Sequence, residues 1–192
     1  MKHYIELTLI QNADIAHYFL WEKVFQQVHL GLVEMQDSDK KVQIGISFPE
    51  YDKENYRLGN KIRFFAEDEA TLKQFDVQKW LNRLLDYVHL TRIRPVPDRK
   101  LTYACYKREQ IKETKERLAR RKAKRAGISI DEALQLLGNY EEKRVRTPFI
   151  NIKSQSSDRR FRLFILKENS SELINQGFSS YGLSNISTVP EF

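Results

Sequence analysis

The sequence predicts an α+β protein. It reads as an N-terminal ferredoxin-like domain (1–95) followed by a C-terminal α/β domain (96–192) that carries an Arg/Lys-rich helix at about 112–126. Three observations predict this. The first half of the chain has the element order β-α-β-β-α-β. Closely spaced prolines at Pro95-Val96-Pro97-Asp98 resist regular structure and suggest a linker. Beyond them, a dense run of cations without Gly or Pro lies between Tyr106 and Ala126.

Taken in order, Tyr4 to Ile10 alternates as a strand does. A helix is expected from about Asp14 to Glu34, with Tyr18, Trp21, Phe25, Val28 and Leu32 as its core stripe. Val42 to Phe48 and Lys61 to Ala66 read as strands, separated by Pro49 and a charged loop around Gly59. A helical stretch is expected from about Asp68 to Asp86 and a strand from Tyr87 to Ile93. In the second half, Leu101 to Tyr106 reads as a strand, followed by the basic helix and a short helix from Ser129 to Asn139. Gly127 stops the first of these helices, and Ser129-Ile130-Asp131-Glu132 is a capping box that opens the second. Two strands follow, Pro148 to Lys153 and Phe161 to Lys167. The tail 168–192 is polar but carries Phe178, Tyr181 and Leu183, which predicts that it packs.

The charge is unevenly distributed. The chain has 33 Lys and Arg against 26 Asp and Glu, a formal +7. Residues 106–126 hold ten of the cations and three of the acids, so the whole excess lies there. At about 100° per residue, Arg117, Arg120, Arg121, Lys124 and Arg125 share one side of a helix, with Ala119, Ala123 and Ala126 opposite. A charge run is commonly a solvated, salt-bridge-laced face. Here no acid occurs from Arg117 to Arg125, so the stripe repels itself unless a polyanion neutralises it. Phosphate backbone suits that stripe through counterion release.

Other classes are disfavoured. No uncharged apolar run approaches the roughly 20 residues that span a bilayer, mean hydropathy is −0.61, and the first residues lack a signal peptide's apolar centre. The expectation is a cytoplasmic protein without a membrane partner. The one cysteine, Cys105, makes neither a disulfide framework nor a zinc cluster. His3, His17, His29 and His89 have no ligand spacing, and no phosphate-binding Gly-rich loop occurs. No metal and no cofactor are expected.

His29 falls about 40° around its helix from Phe25, at the edge of the core stripe. On spacing alone it reads as a half-buried polar residue. The hydroxyl clusters Ser154-Gln155-Ser156-Ser157 and Ser179-Ser180-Tyr181 read as a polar turn and a tail loop.

Four further segments carry a resemblance when taken together: Gly45-Ile46-Ser47-Phe48-Pro49; Arg57-Leu58-Gly59; Ser154-Gln155-Ser156 followed by Phe161-Arg162-Leu163-Phe164-Ile165; and Gly177-Phe178 running into Tyr181-Gly182-Leu183-Ser184. In this order and spacing, across nearly the whole chain, they resemble the type I-F (Csy-type) CRISPR repeat-processing endoribonucleases. The resemblance implies cleavage of precursor CRISPR RNA at the 3′ base of the repeat stem-loop, without metal, by 2′-hydroxyl attack. It also implies retention of the product and membership, with other subunits, of the type I-F surveillance complex; the free protein would be a monomer.

Residue by residue, the resemblance implies that His29, within Val28-His29-Leu30-Gly31-Leu32-Val33, is the catalytic histidine. Ser154 would hold the attacking hydroxyl, Ser156 would lie near the phosphate, and Tyr181 would orient His29 or shield the site. Phe161 would stack under the terminal base pair. Arg108 and Gln110 would read bases, since Arg forks to guanine and Gln to adenine. Arg120, Arg121 and Arg125 would enter the groove beside Arg117 and Lys124. Lys122 and Lys124 depart from the family's almost uninterrupted arginine run; they keep the charge but lose the planar fork. Two other readings share the basic helix: a non-catalytic RNA-hairpin-binding subunit and a DNA-binding regulator. A purely protein-binding role leaves the stripe unexplained.

Overall fold

The computed structural model describes residues 1–192 apart from 12–13, 99–100, 111–114, 139–145 and 155–158. The elements are β1 (His3–Leu9), α1 (His17–Glu34), β2 (Gly45–Ser47), β3 (Lys61–Ala66), α2 (Glu69–Phe75), α3 (Val77–Trp80), β4 (Val88–Leu90), β5 (Arg94–Pro95), β6 (Thr102–Glu109), α4 (Lys115–Ala126), α5 (Ile130–Leu136), β7 (Phe149–Lys153), β8 (Arg160–Ser170) and β9 (Val189–Glu191). No described helix is long and apolar enough to cross a membrane.

The strands form two antiparallel sheets. One runs β2-β3-β1-β4, with β5 also on β1; the other runs β7-β8-β6-β9. Each is set by its apolar alternation: Ile62 and Phe64 of β3, and Leu163 and Ile165 of β8, are fully buried, as a half-covered sheet requires. α1 packs along β7 and buries Trp21, Phe25, Val28 and Leu32. Tyr18 was expected in that stripe but is 68% exposed. It falls in the first turn, ahead of the buried run that begins at Leu20.

Several boundaries differ from the sequence expectation for identifiable reasons. The helix expected over 68–86 ends its first segment at Asp76, whose φ of +40° lies in the left-handed region that breaks a helix. α3 adds one turn, and a 3-10 turn at Leu85–Tyr87 leads into β4. Among the described residues the basic segment is helical from Lys115 to Ala126, the expected start near 112 lying outside them, while Tyr106 to Glu109 belong to β6, held by pairing with β8 (Arg108 opposite Ile165). The tail adds a strand, β9, on β6.

The prolines do not make a free linker. Arg94–Pro95 pairs with the start of β1, and the Val96 amide donates to the Lys2 carbonyl at 2.8 Å. Both sheets also share one apolar core, in which Ile46, Phe48 and Phe65 meet Tyr106, Ile152 and Leu163. The buried Tyr106 hydroxyl stitches the sheets: its single proton faces two acceptors, the Phe48 carbonyl (3.1 Å) and Glu191 Oε1 (2.8 Å). The chain therefore divides elsewhere than at residue 95: one compact unit is Met1–Glu109 with Thr147–Phe192, and the other is Gln110–Arg146.

In the second unit α4 packs on α5. Ala119 and Ala123 are buried with Ala133, so the small-residue face of the basic helix seats on its neighbour, whereas Ala126 is exposed. Ser129 and Glu132 form the expected reciprocal capping box at the start of α5.

Candidate active site

His29 lies in the last third of α1, is 8% exposed, and is fixed by two contacts from the C-terminal tail. Its Nδ1 is 2.8 Å from the Ser180 carbonyl. Its ring lies flat on Tyr181, with centroids 4.2 Å apart and planes 9° from parallel. A carbonyl oxygen only accepts, so Nδ1 carries the proton and the neutral ring keeps its lone pair on Nε2. Burial pushes the His29 pKa below its ordinary value; the bond to Ser180 opposes this more weakly.

The tail reaches His29 through a tight turn docked on the first sheet. Phe178 and Val42 exchange backbone bonds at 2.8 and 2.9 Å, and the Ile46 amide donates to the Gly182 carbonyl at 3.0 Å. Gly182 has a φ of +66°, and a Cβ there would lie 2.6 Å from Ile46 Cγ2. Only glycine fits that conformation and that approach together. Tyr181 and Ser180 are thereby presented to α1.

Arg108, near the end of β6, extends the row. Its guanidinium lies 5.6 Å from the Tyr181 ring centre and 5.1 Å from that of Phe161. Burial raises the Tyr181 pKa, with the Arg108 charge acting the other way. His29, Tyr181, Arg108 and Phe161 thus form a continuous stack, buried at the imidazole and open at the guanidinium.

Ser154 follows β7 directly. Its amide donates to the Arg159 carbonyl at 2.8 Å. The preceding amide, of Lys153, donates to Gln26 Oε1 on α1 at 3.0 Å, one helical turn before His29. Ser156 lies outside the described residues. Gln110, Arg117, Arg120, Arg121, Lys124 and Arg125 belong to the other compact unit and have exposed side chains.

Sequence reasoning had no view of the Ser180 carbonyl, because a backbone acceptor has no residue-type signal. It also passed over Glu22 and Gln26, two polar residues on the His29 side of α1. Their four- and three-residue spacings were the available sign.

A family described as "CRISPR-associated protein (Cas_Csy4)" matches residues 4–192. The chain belongs to the Cas_Csy4 family. A relative from Escherichia coli (strain UTI89 / UPEC), described as "CRISPR-associated endonuclease Cas6/Csy4", is 32% identical over 193 residues, covering 100% of both chains. Another with the same description, from Pseudomonas aeruginosa (strain UCBPP-PA14), is 32% identical over 196 residues, again covering 100% of both. A solved chain described as "An RAMP protein binding different RNA substrates" aligns over 87% of each chain at 10% identity and a TM-score of 0.33, too slight a likeness to carry fold or function. Burial favours the neutral form of the imidazole, and the bond to the Ser180 carbonyl fixes its tautomer.

Proposed function

We propose that this Cas_Csy4 chain is a metal-independent endoribonuclease. It cleaves precursor CRISPR RNA at the 3′ base of the repeat stem-loop by 2′-hydroxyl attack and stays bound to its product. The observation that carries the reading is the His29 imidazole, buried, stacked on Tyr181 and held through Nδ1, in a chain that matches CRISPR-associated endonucleases along its whole length.

RNA supplies its own nucleophile beside each phosphate, so the protein has only to align that oxygen and handle its proton. His29 Nε2 takes the proton from the 2′-hydroxyl. The oxygen attacks the adjacent phosphorus, the bond to the 5′-oxygen breaks, and that oxygen leaves and takes up a proton. The products are a 2′,3′-cyclic phosphate and a 5′-hydroxyl. Ser154 holds the nucleophile, Ser156 lies near the phosphate, and Tyr181 keeps the imidazole aligned and dry. Phe161 stacks under the last base pair. Arg108 and Gln110 read bases, while Arg117, Arg120, Arg121, Lys124 and Arg125 engage the stem's phosphates and groove. Many phosphate contacts make product release slow, which suits a protein that remains on its hairpin as one subunit of a larger CRISPR complex and is a monomer when free in the cytoplasm. The strand order β2-β3-β1-β4, with α1 between β1 and β2 and helices between β3 and β4, supports a ferredoxin-like N-terminal half.

The test uses the host's repeat RNA with excess chelator, beside the same RNA with one 2′-deoxy substitution before the cut. Cleavage of the first alone is the expected result. Tight binding of both without cleavage of either would leave a non-catalytic hairpin-binding subunit.

A further inference from the structure

α1 carries three polar residues, Glu22, Gln26 and His29, on one strip of a helix that otherwise buries apolar side chains on that side. Glu22 is 9% exposed, a costly place for a carboxylate without a partner. Its Oε1 lies 3.7 Å from the Arg160 guanidinium, and Gln26 Oε1 accepts the Lys153 amide at 3.0 Å. Lys153 and Arg160 are register partners, the last residue of β7 and the first of β8. Both arms of this hairpin end are therefore gripped by the helix that bears His29.

Ser154 is the next residue after the gripped amide, and its own amide closes the arms onto the Arg159 carbonyl. The helix thus holds the amide that precedes Ser154 through Gln26, which lies one turn before His29 along α1. A strand end bonded only to its neighbour strand frays. An acceptor from a packed helix fixes its height along that helix.

Resting on the endoribonuclease reading above, we propose that Gln26 is a positioning residue for cleavage. By holding the Lys153 amide it sets Ser154 at the level of His29 along α1, with the Glu22–Arg160 pair steadying the second arm. Neither residue touches RNA in this role. Misplacing a nucleophile-holding group by about 1 Å costs on the order of 100-fold in rate, so the effect belongs in the chemical step and not in hairpin affinity.

The experiment compares full-length parent, Gln26→Leu, Gln26→Glu and Glu22→Gln proteins on the host's repeat stem-loop RNA. Single-turnover cleavage is measured with protein in excess, and affinity on the RNA carrying the 2′-deoxy substitution. Gln26→Leu is expected to cut about 10- to 100-fold more slowly with unchanged affinity. Gln26→Glu, which keeps an oxygen acceptor at the same reach, is expected to restore most of the rate. Glu22→Gln should slow cleavage less, because Arg160 is 71% exposed and that pair is screened. A Gln26→Leu protein cutting at the parental rate would overturn the proposal. So would rate and affinity falling together without recovery in Gln26→Glu, the pattern of a residue needed only for folding or binding. If the parent itself does not cut, the endoribonuclease reading fails first and this inference falls with it.

Discussion

The His29 imidazole and the Tyr181 phenol ring lie 4.2 Å apart and 9° from parallel, although one belongs to the first helix and the other to the C-terminal tail. Together with the bond from Nδ1 to the Ser180 carbonyl, the stack removes both rotational freedoms of the imidazole. It leaves Nε2 as the atom able to exchange a proton. Replacing His29 by Ala is therefore expected to lower single-turnover cleavage by about 10²- to 10⁴-fold, the span of general acid–base catalysis, with hairpin affinity retained. Gel-shift and cleavage assays on one RNA check this, and unchanged cutting would remove His29 from the mechanism.

Tyr181 is expected to act through its ring. Tyr181→Phe keeps the stack and should cleave near the parental rate, whereas Tyr181→Ala exposes the imidazole and loses its alignment. An aromatic pair of this kind is worth about 0.5–1.5 kcal/mol, so the alanine protein should be slower by at least a few-fold. A large loss in the phenylalanine protein would instead give the hydroxyl a chemical role.

The pH profile follows from the burial of His29. Its ordinary value is about 6.5, and the folded value is lower because burial disfavours the charged ring. The unfolded chain then binds the extra proton more readily, so His29 opposes folding as pH falls below 6.5 and does not above it. A base that must be neutral keeps its activity until pH passes below the lowered value. The acid limb of cleavage is expected below pH 6.5 in the parent, and nearer 6.5 in Tyr181→Ala, where the ring is more exposed. Rate against pH under single turnover measures both; a parental limb above 6.5 would contradict the burial argument.

Much of this arrangement was legible in the residue order and part of it was not, for physical reasons. β3, β7 and the buried run of α1 follow from local periodicity, because alternation and the 3.6-residue repeat are properties of each segment alone. Lys107 to Glu109 have helix-forming composition, yet pairing with β8 claims them for β6. The prolines at 95–97 read locally as a linker, but β1 offers Arg94–Pro95 an edge to pair with. The His29–Tyr181 stack depends on the Val42–Phe178 bridge and the turn at Gly182, long-range relationships that no local pattern carries. The four resembling segments mark the chain's relatives; the contact itself needs the fold.

The basic helix and the β6 arginine are expected to fail differently. Arg121→Ala and Arg125→Ala each remove an exposed charge from the α4 stripe, so both should weaken all RNA binding and flatten its salt dependence by about one unit of slope. Arg108→Ala and Gln110→Ala should instead narrow the preference for the cognate hairpin over a mutated one. Affinities for both hairpins across a salt series separate the two behaviours, and equal losses in all four proteins would abolish the division between base readers and phosphate contacts.

Gly182 links fold to site most directly. At a φ of +66°, alanine adopts a conformation disfavoured by about 1–2 kcal/mol, and its Cβ would also meet buried Ile46 at 2.6 Å. The turn must then lift from β2, taking with it the bond from the Ile46 amide and, one residue earlier, the ring that covers His29. Gly182→Ala is expected to lower thermal stability and to slow cleavage more than it weakens hairpin binding, because the basic stripe of α4 lies in the other compact unit. Thermal melts beside single-turnover rates decide it: a protein of parental rate and lowered melting temperature would show that the turn serves the fold alone.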